Sequence, residues 1–311
     1  MTSRVHAALL RSPAGSLPER AASVILDLGF QGVVLAAPLH ETAWESLRAA
    51  LPRSSISAIE VFLPWPRGVS PGSEAPFHIA ALHPEERRDS VGQATQTVLV
   101  AERSSIPVVL VPAARMGAVV DERSLPRGRD AHREQRIARL RAAREAEARP
   151  RLDSLLHLLS KMLSAADRYG VTVALAPGVL LDEIPSPDEA AACLEEFRGA
   201  PLSMWVDTAQ RALALSLAPA GYDPFGALEK EALAGVTLRD MGPGGEPVPP
   251  GRGRIDWAAE KPLLERCSLW AVDPPPGAVA EGGGWLEEAR EFMVRLETPP
   301  REPSGGLLGI G

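Results

Sequence analysis

Short apolar runs recur along the chain, and amphipathic stretches separate them. The runs are Val5–Leu10, Gly32–Ala37, Ile56–Leu63, Ile106–Pro112, Val171–Ala176, Leu202–Asp207, Gly235–Arg239 and Ser268–Asp273, eight in all. Several are almost continuously apolar, the pattern of parallel strands buried on both faces. The stretches between them repeat at helical spacing. Leu17–Leu28 runs into Gly29, a residue suited to ending a helix. Trp44, Leu47 and Leu51 lie on one helical face within His40–Leu51. "HPEERRDSVGQATQTVLVAERSS" is charged at its start and apolar later, and "RLDSLLHLLSKMLSAADRYG" is strongly amphipathic. "SPDEAAACLEEFRG" opens with Ser186 as N-cap, Pro187 at N1 and Glu189 at N3, a capping box. "DPFGALEKEALA" and "GWLEEAREFMVRLE" complete the helical set.

Eight strands alternating with helices predict an α/β protein, a (β/α)8 TIM barrel. One domain is expected over 1–297, with a disordered Pro/Gly-rich tail over 298–311. The alternative is an open doubly wound sheet. That fold advertises a Gly-rich phosphate loop after its first strand, and neither GxGxxG nor GxxxxGK[ST] occurs. One segment breaks the rhythm. "RSLPRGRDAHREQRIARLRAAREAEARPR" (123–151), between strands four and five, mixes many arginines with acids. It reads as a solvated helix from Asp130 to Arg149 that Pro150 ends. Because it follows a strand, it is also placed to form an arginine-bearing lid on the catalytic face.

Composition narrows the classes. Hydrophobic residues make up 45% and charged residues 23%, as in soluble globular proteins. The sequence has no apolar run long enough to span a membrane. "MTSRVHAALLRSPAGS" has too short an apolar stretch for a secretory signal. Cys193 and Cys267 match no metal spacing and are expected as reduced thiols in a cytoplasmic protein. A net charge of −7 argues against nucleic acid as a partner.

Four stretches, in order and spacing, resemble the xylose isomerase-like superfamily of TIM barrels, which includes sugar-phosphate isomerases and epimerases. They are "LGFQGVVL" (28–35), "HPEERRDSVGQATQTVLVAERSSIPVVLVPA" (83–113), "AADRYGVTVALAPG" (165–178) and "GVTLRDMGPGGEPVPPGRGRIDW" (235–257). The resemblance spans Val5 to Glu297. It implies chemistry assisted by a divalent ion, held by acids and histidines at the C-terminal ends of the strands. Such an ion polarises a sugar carbonyl and stabilises an enediolate. Position by position, this chain departs from that pattern. Val34 and Ala176 stand where the family has glutamates, Gln210 and Thr237 where it has histidines, and Asp273 where it has the last glutamate. Asp207 and Asp273 remain of the implied ligand set, with Asp240 as a third acid nearby. No metal cofactor is expected from this set. At most, Asp207 and Asp273 would hold a weakly bound, largely hydrated Mg or Mn. Zinc wants four N, S or O ligands.

Asp207, Asp240 and Asp273 are therefore the catalytic candidates if the chain is active. Glu60, Trp65, Arg115, Gln210, Arg239 and Arg254 are the candidates for binding substrate. Trp65 offers a stacking platform for a sugar ring, with loop packing as its ordinary alternative. Arg239, Arg252 and Arg254 suit phosphate or carboxylate, with ion pairing to a neighbouring helix acid as the alternative for Arg239. No GxSxG occurs, and no HxH or HxxxH pair. Two functions stay open. One is a non-catalytic barrel with a degenerate metal site that binds a small polar ligand, such as a sugar or sugar phosphate, or a protein. The other is an active sugar or sugar-phosphate isomerase or epimerase with a remodelled carboxylate site. In the non-catalytic case Asp207 is expected to be a hydrogen-bonding anchor at the mouth, to Arg239 or to loop amides.

Overall fold

A computed structural model describes residues 4–10, 18–36, 39–66, 77–116, 131–180, 182–217, 225, 233–243, 246–275, 277–279 and 283–298. The order along the chain is β1 (Val5–Leu10), α1 (Pro18–Asp27), β2 (Gly32–Leu35), α2 (Glu41–Ala50), β3 (Ile56–Glu60), α3 (Pro84–Arg103), β4 (Val108–Pro112) and α4 (Ala131–Tyr169). Then come β5 (Thr172–Ala176), α5 (Pro187–Glu196), β6 (Leu202–Asp207), α6 (Thr208–Leu217), β7 (Leu233–Leu238), α7 (Trp257–Leu264), β8 (Leu269–Val272) and α8 (Gly284–Glu297). Among the described residues, the eight strands pair in parallel in sequence order and β8 closes on β1. The predicted TIM barrel is the observed fold. Strand order and closure rule out the open sheet. No described helix is long and apolar enough to cross a membrane.

Each strand buries both faces, as its continuous apolar run demands. One rank of side chains, including Leu35, Ile59, Val109, Leu175, Val206, Val236 and Trp270, packs outward under the helices. The alternate rank fills the lumen. The capping box at the start of α5 forms as the sequence predicts: Ser186 Oγ accepts from the Glu189 amide, and the Glu189 carboxylate accepts from the Ser186 amide.

Pro150 does not end a helix. The two helical patterns flanking it fuse into the single 39-residue α4, with Pro150 inside. Proline removes one backbone hydrogen bond and crowds the preceding turn. Tertiary anchors on both sides hold the helix through that cost. Before the proline, Arg144 forks onto Glu189 at 2.7 and 2.8 Å. After it, Arg151 donates to the Met116 carbonyl at 2.8 Å, and buried Ser154 donates to the Ala81 carbonyl. The expected helix "DPFGALEKEALA", apart from Phe225 and the last two residues, lies outside the described residues, as do 123–130 of the arginine-rich segment and 299–311 of the tail.

Candidate functional site

The lumen rank is read from the small inner core: Ala7, Leu9, Val34, Ala58, Leu110, Ala174, Trp205 and Ala271, among others. Most are small, and one is very large. Trp205 faces the lumen beside the neighbouring strand β7, and its indole N–H donates to Thr237 Oγ1 at 2.7 Å. Gly235 makes room for it. A Cβ there would stand 2.7 Å from the indole ring and 3.0 Å from the Leu269 carbonyl. The sequence alone carries no signal for this contact, because Trp205 and Gly235 meet only across neighbouring strands.

Side chains two residues further along a strand share a face. The next lumen-facing rank, at the C-terminal mouth above Trp205, is therefore Ala36, Glu60, Pro112, Ala176, Asp207, Arg239 and Asp273. Within it, three side chains meet. Arg239 Nη1 lies 3.3 Å from Asp207 Oδ2, and Arg239 Nε lies 3.6 Å from Asp273 Oδ2. The Arg239 side chain is 35% exposed, while both carboxylates are largely buried.

Asp207 is the last residue of β6 and the residue before α6. Its Oδ1 accepts from the Gln210 amide at 2.9 Å, the geometry of an aspartate N-cap. An apolar strand ends on a carboxylate here because one side chain serves both a helix start and an arginine. Burial pushes the Asp207 carboxyl above the usual range, and the charge of Asp273 adds to that rise. The Arg239 guanidinium and the Gln210 amide oppose it. Thr208, fully buried, reinforces the junction: its Oγ accepts from the Arg239 amide at 2.9 Å and donates to the Arg239 carbonyl at 2.7 Å.

Asp240 points the other way. Its carboxylate accepts five hydrogen bonds at 2.9 to 3.1 Å, from the amides of Met241, Gly251, Gly253 and Ile255 and from the Trp257 indole. It is 2% exposed. The Gly-x-Gly-x-Ile-Asp-Trp stretch supplies the donors, and a Cβ at Gly253 would lie 2.1 Å from Asp240 Oδ1. Asp240 thus organises the β7–α7 loop rather than facing the lumen.

The remaining candidates are dispersed. Glu60 shares the mouth rank with Asp207 by alternation. Gln210 sits behind Asp207 through its backbone. Trp65 is buried edge-on to His40 at 5.9 Å, and it lines a cleft of about 400 Å³ between α2 and α3, outside the barrel. Arg115 is exposed and pairs with Asp182 at 3.4 Å. Arg254 is exposed on the β7–α7 loop, where its amide donates to the Met241 carbonyl at 3.1 Å. Arg239 pairs with two strand-end acids and not with a helix acid. Both cysteines are buried, and burial pushes each thiol up to about 12, far from a reactive thiolate.

The resemblance implies a divalent ion among these side chains. Among the described residues, no three His, Cys, Asp or Glu side chains gather where they could hold one. The cation between Asp207 and Asp273 is already a guanidinium.

No protein-family model matches the sequence, and no curated protein matches it. Solved structures do match in fold. The 3-keto-D-glucoside 4-epimerase YcjR of E. coli, in its apo form, superposes with a TM-score of 0.61 over 96% of this chain and 100% of that one, at 15% identity. A D-psicose 3-epimerase solved in the presence of D-fructose gives 0.62 over 94% and 99%, at 12% identity. A xylose isomerase domain protein from Planctomyces limnophilus gives 0.59 over 95% and 98%, at 17% identity. The chain has the fold of the xylose isomerase-like TIM barrels.

Proposed function

We propose that this protein binds a small, unphosphorylated sugar at the mouth of its barrel and does not carry out metal-assisted epimerisation. One observation carries the reading: Arg239 sits between Asp207 and Asp273, in the lumen-facing rank where TIM barrels collect their chemistry. Hydrogen transfer between adjacent sugar carbons needs a strong electrophile beside the carbonyl. A guanidinium already neutralised by two carboxylates is a weak one. It is well suited to hydrogen-bonding hydroxyl groups, because charge-assisted donors and acceptors stand side by side.

The described members of the rank, Glu60, Asp207 and Asp273 against Arg239, sum to a formal charge of −2, which disfavours a phosphorylated ligand. The solved structures of similar fold include epimerases of 3-keto-D-glucoside and D-psicose, which supports a sugar as the class of ligand. The test is a panel of free ketoses and aldoses with their phosphate esters, followed by thermal shift and by chromatography of the recovered sugar. A free sugar is expected to raise the melting temperature and to be recovered unchanged. A panel with no stabilising sugar, or Mn-dependent epimerisation lost in Asp207→Ala, overturns the reading.

A further inference from the structure

We infer that the β6–α6 junction and Asp273 form a socket that makes the Arg239 guanidinium the permanent cation of the mouth, in place of a bound divalent ion. Three features, none dependent on which ligand binds, converge on it. The guanidinium is held on two edges by different carboxylates, at Nη1 by Asp207 and at Nε by Asp273. Its main chain is held at both polar atoms by one fully buried hydroxyl, Thr208 Oγ. Asp207 is in turn fixed by the Gln210 amide at the start of α6, so the carboxylate does not depend on Arg239 for its orientation.

The shape of the socket separates a planar fork from a spherical ion. Nε and Nη1 are neighbouring donors of one rigid plane, and each faces its own carboxylate oxygen. A hard divalent ion would instead need several oxygens converging on one point, which the described residues do not offer. The Arg239 side chain keeps 35% of its surface exposed while it spans the two carboxylates. Its N–H groups beyond the two ion pairs are assigned to ligand oxygens.

The experiment uses Arg239→Ala, with guanidinium chloride at low millimolar concentration as the probe and urea as its uncharged control of the same shape. Calorimetry is expected to detect saturable binding of guanidinium to Arg239→Ala and none to the wild type. The variant is expected to melt several degrees lower, with guanidinium but not urea recovering most of the loss. Mn titrated into the wild type is expected to produce no stoichiometric uptake by electron paramagnetic resonance. Equal behaviour of guanidinium and urea overturns the socket. Stoichiometric Mn uptake by the wild type, lost in Asp207→Ala, overturns it as well. Where Arg239→Ala does not fold, Arg239→Gln takes its place, and the Mn experiment needs no variant. The sugar panel above is independent, so a protein that binds no sugar but keeps the guanidinium socket refutes only the proposed function.

Discussion

Asp207 and Asp240 stand near the C-terminal ends of adjacent strands, and one faces the lumen while the other faces its own loop. Asp207 meets one guanidinium and one amide and is largely buried. Asp240 meets five donors and is closed to solvent. Strand alternation separates them. Thr237 and Arg239 point inward, so Leu238 and Asp240 must point outward. The carboxylate with many partners holds a loop, and the one with few holds a helix start and an arginine. A residue's position at a strand end therefore says less about chemistry than which side of the sheet it faces.

The comparison breaks most visibly at Asp240. Asp240→Ala leaves five part-buried donors without their acceptor and is expected to cost about 2 kcal/mol in chemical denaturation. A cost under about 1 kcal/mol would mean that water replaces the carboxylate and that the loop does not depend on it. Gly253→Ala attacks the same anchor from the donor side, since its Cβ would press on Asp240 Oδ1. It is expected to cost about 2 kcal/mol alone and less, though not nothing, in an Asp240→Ala background, because the Cβ would also stand 2.5 Å from the Met241 carbonyl. Additive costs would separate the glycine from the carboxylate.

Asp207 is expected to behave more mildly. Asp207→Asn should cost about 1 kcal/mol, as a weakened helix cap does. Its pH dependence carries more information than its size. Because burial raises the Asp207 carboxyl in the folded protein, the wild type holds that proton more tightly when folded. The associated stability is fully present below the unfolded value, near pH 4, and is lost as pH rises through the folded value. The cost of Asp207→Asn should therefore shrink from acid pH toward neutrality, read as a difference in melting temperature. A cost that grows with pH would mean that Arg239 outweighs burial and that Asp207 is an ordinary ion-pair carboxylate.

Much of the fold was legible because its signals are local. Apolar runs bounded by turn residues marked every barrel strand, although edges moved by one to three residues. The capping box at Ser186 needs only neighbours in sequence. Pro150 misled for the same reason. Its local meaning is to stop a helix, and that meaning was overridden by Arg144, Arg151 and Ser154 reaching residues 35 to 73 positions away. The site was legible only in part. Asp207 was recognisable as a strand-end acid with Arg239 or loop amides as its expected partners; it meets Arg239, and the amide it meets belongs to the first turn of α6. The role of the Gly-x-Gly-x-Ile stretch as the donor set of Asp240 was not, since no spacing rule says which way an amide points.

The sequence by itself determined the alternation of buried strands and amphipathic helices, and with it the barrel, because each element's burial pattern is written within the element. Only the tertiary structure decided which acid faces the lumen and which cation stands between Asp207 and Asp273. It also decided that Trp205 packs against Gly235. Those outcomes depend on strand parity and on contacts between residues about 30 to 65 positions apart. No local propensity encodes them, and closing the barrel fixes them all at once.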